Sequence, residues 1–261
     1  MPVMGFGTSK LTNCAEVVAT ALKLGYRLID TARKYGTEQG IGVAMRSSGI
    51  PRSEMFVVTK VSHEDLRAAD FARSVDASLT ALQLDYVDLL LVNWPSRAVP
   101  LAETMGALAQ AKQQGLARQI GVCNFNIALM KEAMRLCTEP LAVLQAEYHP
   151  YLDQTKLLTF CRETALIFMA YCTVRHKRMI ADPVLGEIAR AKSKTNAQTV
   201  LRWLIQQGNI VPIPRSGNPR HIAENLDVFD FTLSEDEMKT ISTLNRPDGR
   251  LSNPKQAPDW D

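Results

Sequence analysis

The feature that most constrains this chain is an eightfold alternation of short apolar runs with longer stretches of helical periodicity. The runs are Val3–Phe6, Arg27–Ile29, Met55–Thr59, Val87–Val92, Gln119–Val122, Val143–Gln145, Ile167–Ala170 and Ile210–Ile213. Several are nearly continuous in branched aliphatic residues, the pattern of parallel strands buried on both faces. Between them, Asn13–Leu24, Phe71–Leu82, Ala102–Gln114, Ala128–Cys137, Gln154–Thr164 and Ala197–Gln207 place apolar residues at helical spacing, and Gly25 and Gly115 stand where two of these should stop. Ser234-Glu235-Asp236-Glu237 is a capping box that opens a late helix through about Leu244. The alternation predicts a closed (β/α)₈ barrel, with a doubly wound open sheet as the alternative. With 261 residues and 46% hydrophobic content, the chain suits one barrel-sized domain spanning 1–261.

Composition excludes other classes. The net charge of +3 is spread along the chain, so no nucleic-acid partner is expected. No apolar run approaches the roughly 18–20 residues of a membrane span. The start, Met1-Pro2-Val3-Met4-Gly5, lacks the regions of a signal peptide, so the expected location is the cytoplasm. Cys14, Cys123, Cys137, Cys161 and Cys172 are odd in number and have neither metal nor disulfide spacing, which fits reduced thiols. No histidine pair has metal-ligand spacing, and no G-x-S-x-G motif occurs.

Polar residues stand where the apolar runs stop: Thr8, Asp30, Lys60, Asn93, Asn124, Glu147, Tyr171 and Arg215. A parallel barrel brings all such ends to one rim, where barrel enzymes hold their chemistry; the alternative is that strands simply end in polar residues. Asp30, Tyr35 and Lys60 together make a workable proton donor. An ammonium beside a phenol lowers its high pKa, and a carboxylate keeps the ammonium charged and placed. A structural ion pair beside a core tyrosine is the competing reading. Asn93 can donate to a carbonyl oxygen, and Trp94 can wall a substrate pocket; asparagine is also a common turn residue.

Gly5-Phe6-Gly7-Thr8 and Gly40-Ile41-Gly42 each lack the third glycine of a Rossmann fingerprint, with Lys10 and Met45 in its place. The better anion candidate is Ile213-Pro214-Arg215-Ser216-Gly217-Asn218-Pro219-Arg220-His221, a strand end leading into a helix start, where backbone N–H groups and arginines attract phosphate. Tyr171 offers an aromatic face for a planar ring, with core packing as the alternative. His149, before Pro150, reads as a turn residue, and His63 and His176 as solvated loop residues.

The chain resembles the aldo-keto reductase family over essentially its whole length. The resemblance rests on Gly5-Phe6-Gly7-Thr8, Gly25-Tyr26-Arg27-Leu28-Ile29-Asp30-Thr31-Ala32 with Tyr35 and Glu38, Thr59-Lys60, Trp94-Pro95, Gly121-Val122-Cys123-Asn124-Phe125, Gln145-Ala146-Glu147-Tyr148-His149-Pro150-Tyr151, Ile213-Pro214-Arg215-Ser216 and Glu224-Asn225. It looks most like the bacterial 2,5-diketo-D-gluconic acid reductase B branch, also active on methylglyoxal. The resemblance implies a single barrel without a Rossmann domain, working as a monomer on small carbonyl substrates and binding NADPH across the rim. Tyr35 would be the general acid, tuned by Lys60 and Asp30. Asn124 and Gln145 would hold the carboxamide and Tyr171 would stack on the nicotinamide. Gly7, Thr8 and Cys172 would lie along the cofactor. Arg215, Ser216 and Asn218 would meet the 2′-phosphate, and Glu224 and Asn225 the adenine.

Three positions depart from the family pattern. Asn93 stands where a catalytic histidine is usual, Cys123 where a serine holds the carboxamide, and His221, beside Arg220, where an arginine often grips the 2′-phosphate. An NADP(H)-binding sensor with vestigial catalysis is therefore the alternative function; an isomerase or aldolase on the same barrel is more remote. Between Cys172 and Pro183, the basic run Thr173-Val174-Arg175-His176-Lys177-Arg178 either covers the cofactor pyrophosphate, attracts anionic substrates, or is a solvated loop.

Overall fold

The computed structural model describes residues 1–175 and 177–261. The eight strands are β1 Gly5–Gly7, β2 Leu28–Asp30, β3 Phe56–Val61, β4 Val87–Val92, β5 Ala117–Cys123, β6 Leu141–Glu147, β7 Ile167–Tyr171 and β8 Ile210–Pro212. They pair in sequence order, all parallel. The Gly7 N–H donates to the Pro214 carbonyl at 2.9 Å and brings the two edges together. The result is a (β/α)₈ barrel, as the alternation predicts; the strand bounds shift by a few residues.

Around it lie α1 Cys14–Leu24, α2 Glu38–Ser47, α3 Ala68–Leu82, α4 Leu101–Gln113, α5 Ile127–Leu136, α6 Thr155–Glu163, α7 Lys177–Ile180, α8 Pro183–Ala191, α9 Asn196–Gln206, α10 Pro219–Leu226 and α11 Glu235–Ser242. The expected capping box opens α11, with the Ser234 hydroxyl accepting from Glu237 N–H and the Glu237 carboxylate from Ser234 N–H. Three helices, α2, α7 and α8, escape the apolar periodicity. Asp182 caps α8 and accepts from Val184 and Leu185 N–H ahead of a proline that cannot donate. In α2, Gly40 and Gly42 read from the sequence only as an incomplete dinucleotide fingerprint. Gly42 instead permits close packing, because a Cβ there would lie 2.5 Å from the Leu82 carbonyl oxygen at the end of α3.

Strand periodicity sorts the core into two clusters. Leu28, Val58, Leu89, Leu91, Cys123, Val143, Met169, Val211 and Ile213 form the smaller one, in the barrel interior. Intervening strand residues such as Ile29, Val57, Leu90, Val122, Leu144 and Phe168 join the larger cluster under the helices. Side chains alternate faces along a strand. Two residues beyond Leu28, Val58, Leu91, Val143, Met169 and Ile213 stand Asp30, Lys60, Asn93, Gln145, Tyr171 and Arg215. The same parity that packs the interior with aliphatic groups therefore crowns it with polar ones.

Candidate active site

A cavity of about 400 Å³ opens at the C-terminal ends of the strands. Its lining includes Gly7, Thr8, Asp30, Tyr35, Asn93, Trp94, Asn124, Gln145, Tyr171, Cys172 and Arg215, all expected from the sequence. Lys60 and Cys123 stand behind the wall, each 1% exposed. Ser216, Asn218, Arg220, His221, Glu224 and Asn225 lie beyond the lining, on the loop and helix that continue from Arg215.

Lys60 is held by two buried partners, Asp30 and Thr31, beside the half-buried Tyr35. Its Nζ donates to Asp30 Oδ1 at 2.6 Å and to the Thr31 carbonyl at 2.8 Å, and lies 5.5 Å from the centre of the Tyr35 ring. Burial opposes the ammonium, but Asp30 and then Tyr35 outweigh it, so the amine is held above its usual pKa and stays charged. The other Asp30 oxygen accepts from Gln145 Nε2 at 2.8 Å. The Tyr35 phenol corrects one expectation. Lys60 does pull its pKa down, but burial pushes harder the other way, with Asp30, Cys123 and Cys172 adding to it, and the net direction is upward. The phenol is therefore a proton holder at neutral pH. Burial likewise pushes up the Cys123 and Cys172 thiols.

The amides have defined orientations. Asn124 Nδ2 donates to the Asn93 carbonyl at 2.9 Å and its Oδ1 accepts from the Tyr171 hydroxyl at 2.7 Å. Asn124 and Cys172, at strand ends, both hold the left-handed conformation, with φ of 63° and 57°; such backbone strain in non-glycine residues gathers at functional sites. With its Nε2 donating to Asp30, Gln145 lines the cavity with its carbonyl oxygen available as an acceptor. Among the described residues the Asn93 side chain makes no hydrogen bond.

These groups fit a nicotinamide cofactor. The acceptors Asn124 Oδ1 and Gln145 Oε1 suit a carboxamide NH₂. The Thr173 hydroxyl, on a loop lining the same cavity, is buried without a hydrogen-bond partner. Arg215 faces the cavity, and the start of α10 follows it. There Asn218 Oδ1 accepts from Arg220 N–H and Ser216 Oγ from Asn218 N–H. Arg220 is tied to Glu224 at 2.6 Å, so its charge is shared before any phosphate arrives.

Some lining residues carried no signal in the sequence. Ser9, Lys10 and Ser252 reach the cavity through loops whose chemistry is ordinary. In the basic run, Arg175 lines the cavity while Arg178 pairs with Asp248 at 3.5 Å; His176 lies outside the described residues. His149 lies in the turn after β6, as expected, and is fully buried there, its Nε2 3.0 Å from Glu147 Oε1. Glu147 itself points to the C-terminal segment rather than the cavity.

Comparison with known proteins agrees with this architecture. The Aldo/keto reductase family matches residues 3–246. Methylglyoxal reductase DkgB of Escherichia coli O157:H7 is 36% identical over 266 aligned residues, covering 100% of this chain and 99% of that protein. A crystal structure whose protein carries the provisional name 2,5-diketo-D-gluconic acid reductase B superposes with a TM-score of 0.98 at 43% identity, covering 100% of this chain and 94% of that one. An aldo-keto reductase of Bombyx mori, solved in complex with NADP, superposes with a TM-score of 0.87 at 30% identity, covering 94% and 89%. Barrel, rim chemistry and relatives agree: the chain belongs to the aldo/keto reductase family, and is an oxidoreductase that acts on carbonyl groups.

Proposed function

We propose that this chain reduces small aldehydes and keto sugars, of the methylglyoxal and 2,5-diketo-D-gluconate kind, with NADPH as the cofactor and Tyr35 as the proton donor. The observation that carries the reading is the buried Lys60–Asp30 pair beside the Tyr35 ring at the edge of the cavity. When bound, the cofactor supplies the hydride. Tyr35 holds the proton that the carbonyl oxygen needs, and the Lys60 ammonium stabilises the phenolate left when that proton departs. Asp30 fixes Lys60. Asn93 orients the carbonyl by donating a hydrogen bond, and Trp94 walls the substrate. Asn124, Gln145 and Cys123 receive the carboxamide, with Tyr171 against the nicotinamide face. Gly7, Thr8 and Cys172 lie along the cofactor. Arg215, Ser216, Asn218, Arg220 and His221 attract the 2′-phosphate, and Glu224 and Asn225 border the adenine.

The second reading is an NADP(H) sensor with weak catalysis; it draws on Asn93, whose amide cannot exchange a proton near neutrality. Loss of reduced-nicotinamide absorbance with methylglyoxal separates the two. Turnover that Tyr35→Phe lowers by about 10²-fold or more, with NADPH quenching of protein fluorescence unchanged, supports the reductase. NADPH binding without turnover over a panel of aldehydes supports the sensor, and undiminished turnover in Tyr35→Phe refutes the role given to that phenol.

A further inference from the structure

Glu147 is fully buried at the end of β6, yet the proposed chemistry makes no use of it. A carboxylate out of water is costly unless its oxygens are satisfied. Two of its hydrogen bonds come from the far end of the chain: Oε1 accepts from Leu251 N–H at 2.6 Å and Oε2 from Ser252 N–H at 2.8 Å. His149 Nε2 lies 3.0 Å from Oε1 and holds the carboxylate from its own loop. Across the β6–β7 ladder, Glu147 is in register with Tyr171.

The segment it holds runs along the cavity mouth. Gly249 leads into it so close to Tyr151 that a Cβ would run into the Tyr151 carbonyl. Ser252 lines the cavity. The Arg250 guanidinium lies 3.7 Å over the Trp260 ring, and Trp260 meets Trp94 edge-on with centroids 6.2 Å apart. Trp94 lines the cavity beside Asn93. At the far end, Asn126 Nδ2 donates to the Asp259 carbonyl at 2.8 Å. One buried carboxylate thus fixes the register of a strap that supplies one cavity residue directly and backs another.

We propose that Glu147 is a positioning residue: by clamping Leu251 and Ser252 it holds the 249–261 segment over the cavity and sets the affinity for the carbonyl substrate. The proposal rests on the reductase reading above. The strap reaches the cavity through Ser252 and backs Trp94, so loss of the clamp should register in substrate affinity, which a purely structural role would not single out.

The test uses the full chain and Glu147→Gln, which turns an amide N–H toward backbone donors. KM for methylglyoxal is expected to rise about tenfold, with kcat and the NADPH dissociation constant each within about twofold, the signature of lost ground-state binding. Amide hydrogen exchange over 249–261 should quicken. Leu251→Pro, which deletes one of the two N–H donors at a residue that is 41% exposed, should give the same KM change. The double variant should add little to either single one. Leu251→Pro alone carries the test if Glu147→Gln does not fold. An unchanged KM overturns the proposal, as do losses in kcat and NADPH affinity that parallel the rise in KM. Wild-type turnover of methylglyoxal tests the reductase reading separately. Where that fails, exchange over 249–261 still decides the clamp, and an unchanged rate in both variants overturns it.

Discussion

Replacing Lys60 by methionine removes the cation beneath Tyr35 and leaves the shape nearly intact. Two effects follow, and they are separable. The first concerns proton transfer. With the ammonium 5.5 Å from the phenol ring, and an effective dielectric constant of roughly 20, Coulomb's law gives about 3 kcal/mol of stabilisation for the phenolate that forms as the proton leaves. Lost from the transition state, that is about 10²-fold in kcat. The sign of the pH effect is also fixed. Burial already raises the Tyr35 pKa against the pull of Lys60, so without the lysine it rises further. The protonated phenol is the active form in reduction, so the alkaline decline in rate moves to higher pH in the variant. The second effect is on stability. Asp30, 3% exposed, loses its charged partner, and breaking a buried pair costs about 3–5 kcal/mol, a large share of the roughly 5–15 kcal/mol of a typical domain. Urea unfolding at neutral pH reads the second effect. Single-turnover reduction by the folded, NADPH-loaded variant reads the first. A folded Lys60→Met protein whose kcat stays within about threefold of wild type refutes the coupling of lysine to phenol, whatever its stability.

Other predictions follow from the same geometry. Asn93→His places a titratable donor at the cavity and is expected to raise kcat for methylglyoxal, measured by steady-state kinetics; an unchanged or lower value means the asparagine is already matched to its substrate. Cys123→Ser exchanges a weak donor for a strong one beside the amide pair, and should tighten NADPH binding several-fold, about 1 kcal/mol for one net hydrogen bond, read by fluorescence titration. Gly42→Ala forces a Cβ against the Leu82 carbonyl at 2.5 Å. Overpacking of this kind costs about 1–3 kcal/mol, and a thermal melt should show the loss while KM is unchanged.

Much of the barrel was legible before any coordinates, because local patterns encode it. Nearly continuous apolar runs for the strands, glycine stops such as Gly25 and the Ser234–Glu237 capping box are read from neighbours a few residues apart. Rim residues such as Asp30, Lys60, Asn93, Tyr171 and Arg215 were legible as the polar positions where the apolar runs stop, whereas Gln145 came only from the family resemblance. Only tertiary structure decided the rest. The glycines of α2 have no evident use until the helix packs, with the Leu82 carbonyl against Gly42 and Cys14 and Ala15 against Gly40. Desolvation, a sum over everything surrounding a group, determines that Tyr35 holds its proton more tightly rather than less. Glu147 and Ser252 meet across 105 positions of sequence, and no local rule pairs a carboxylate with a backbone N–H that distant. Short-range periodicity determined the barrel and its polar crown; the balance of charges within that crown, and the strap laid across it, exist only once the barrel has closed.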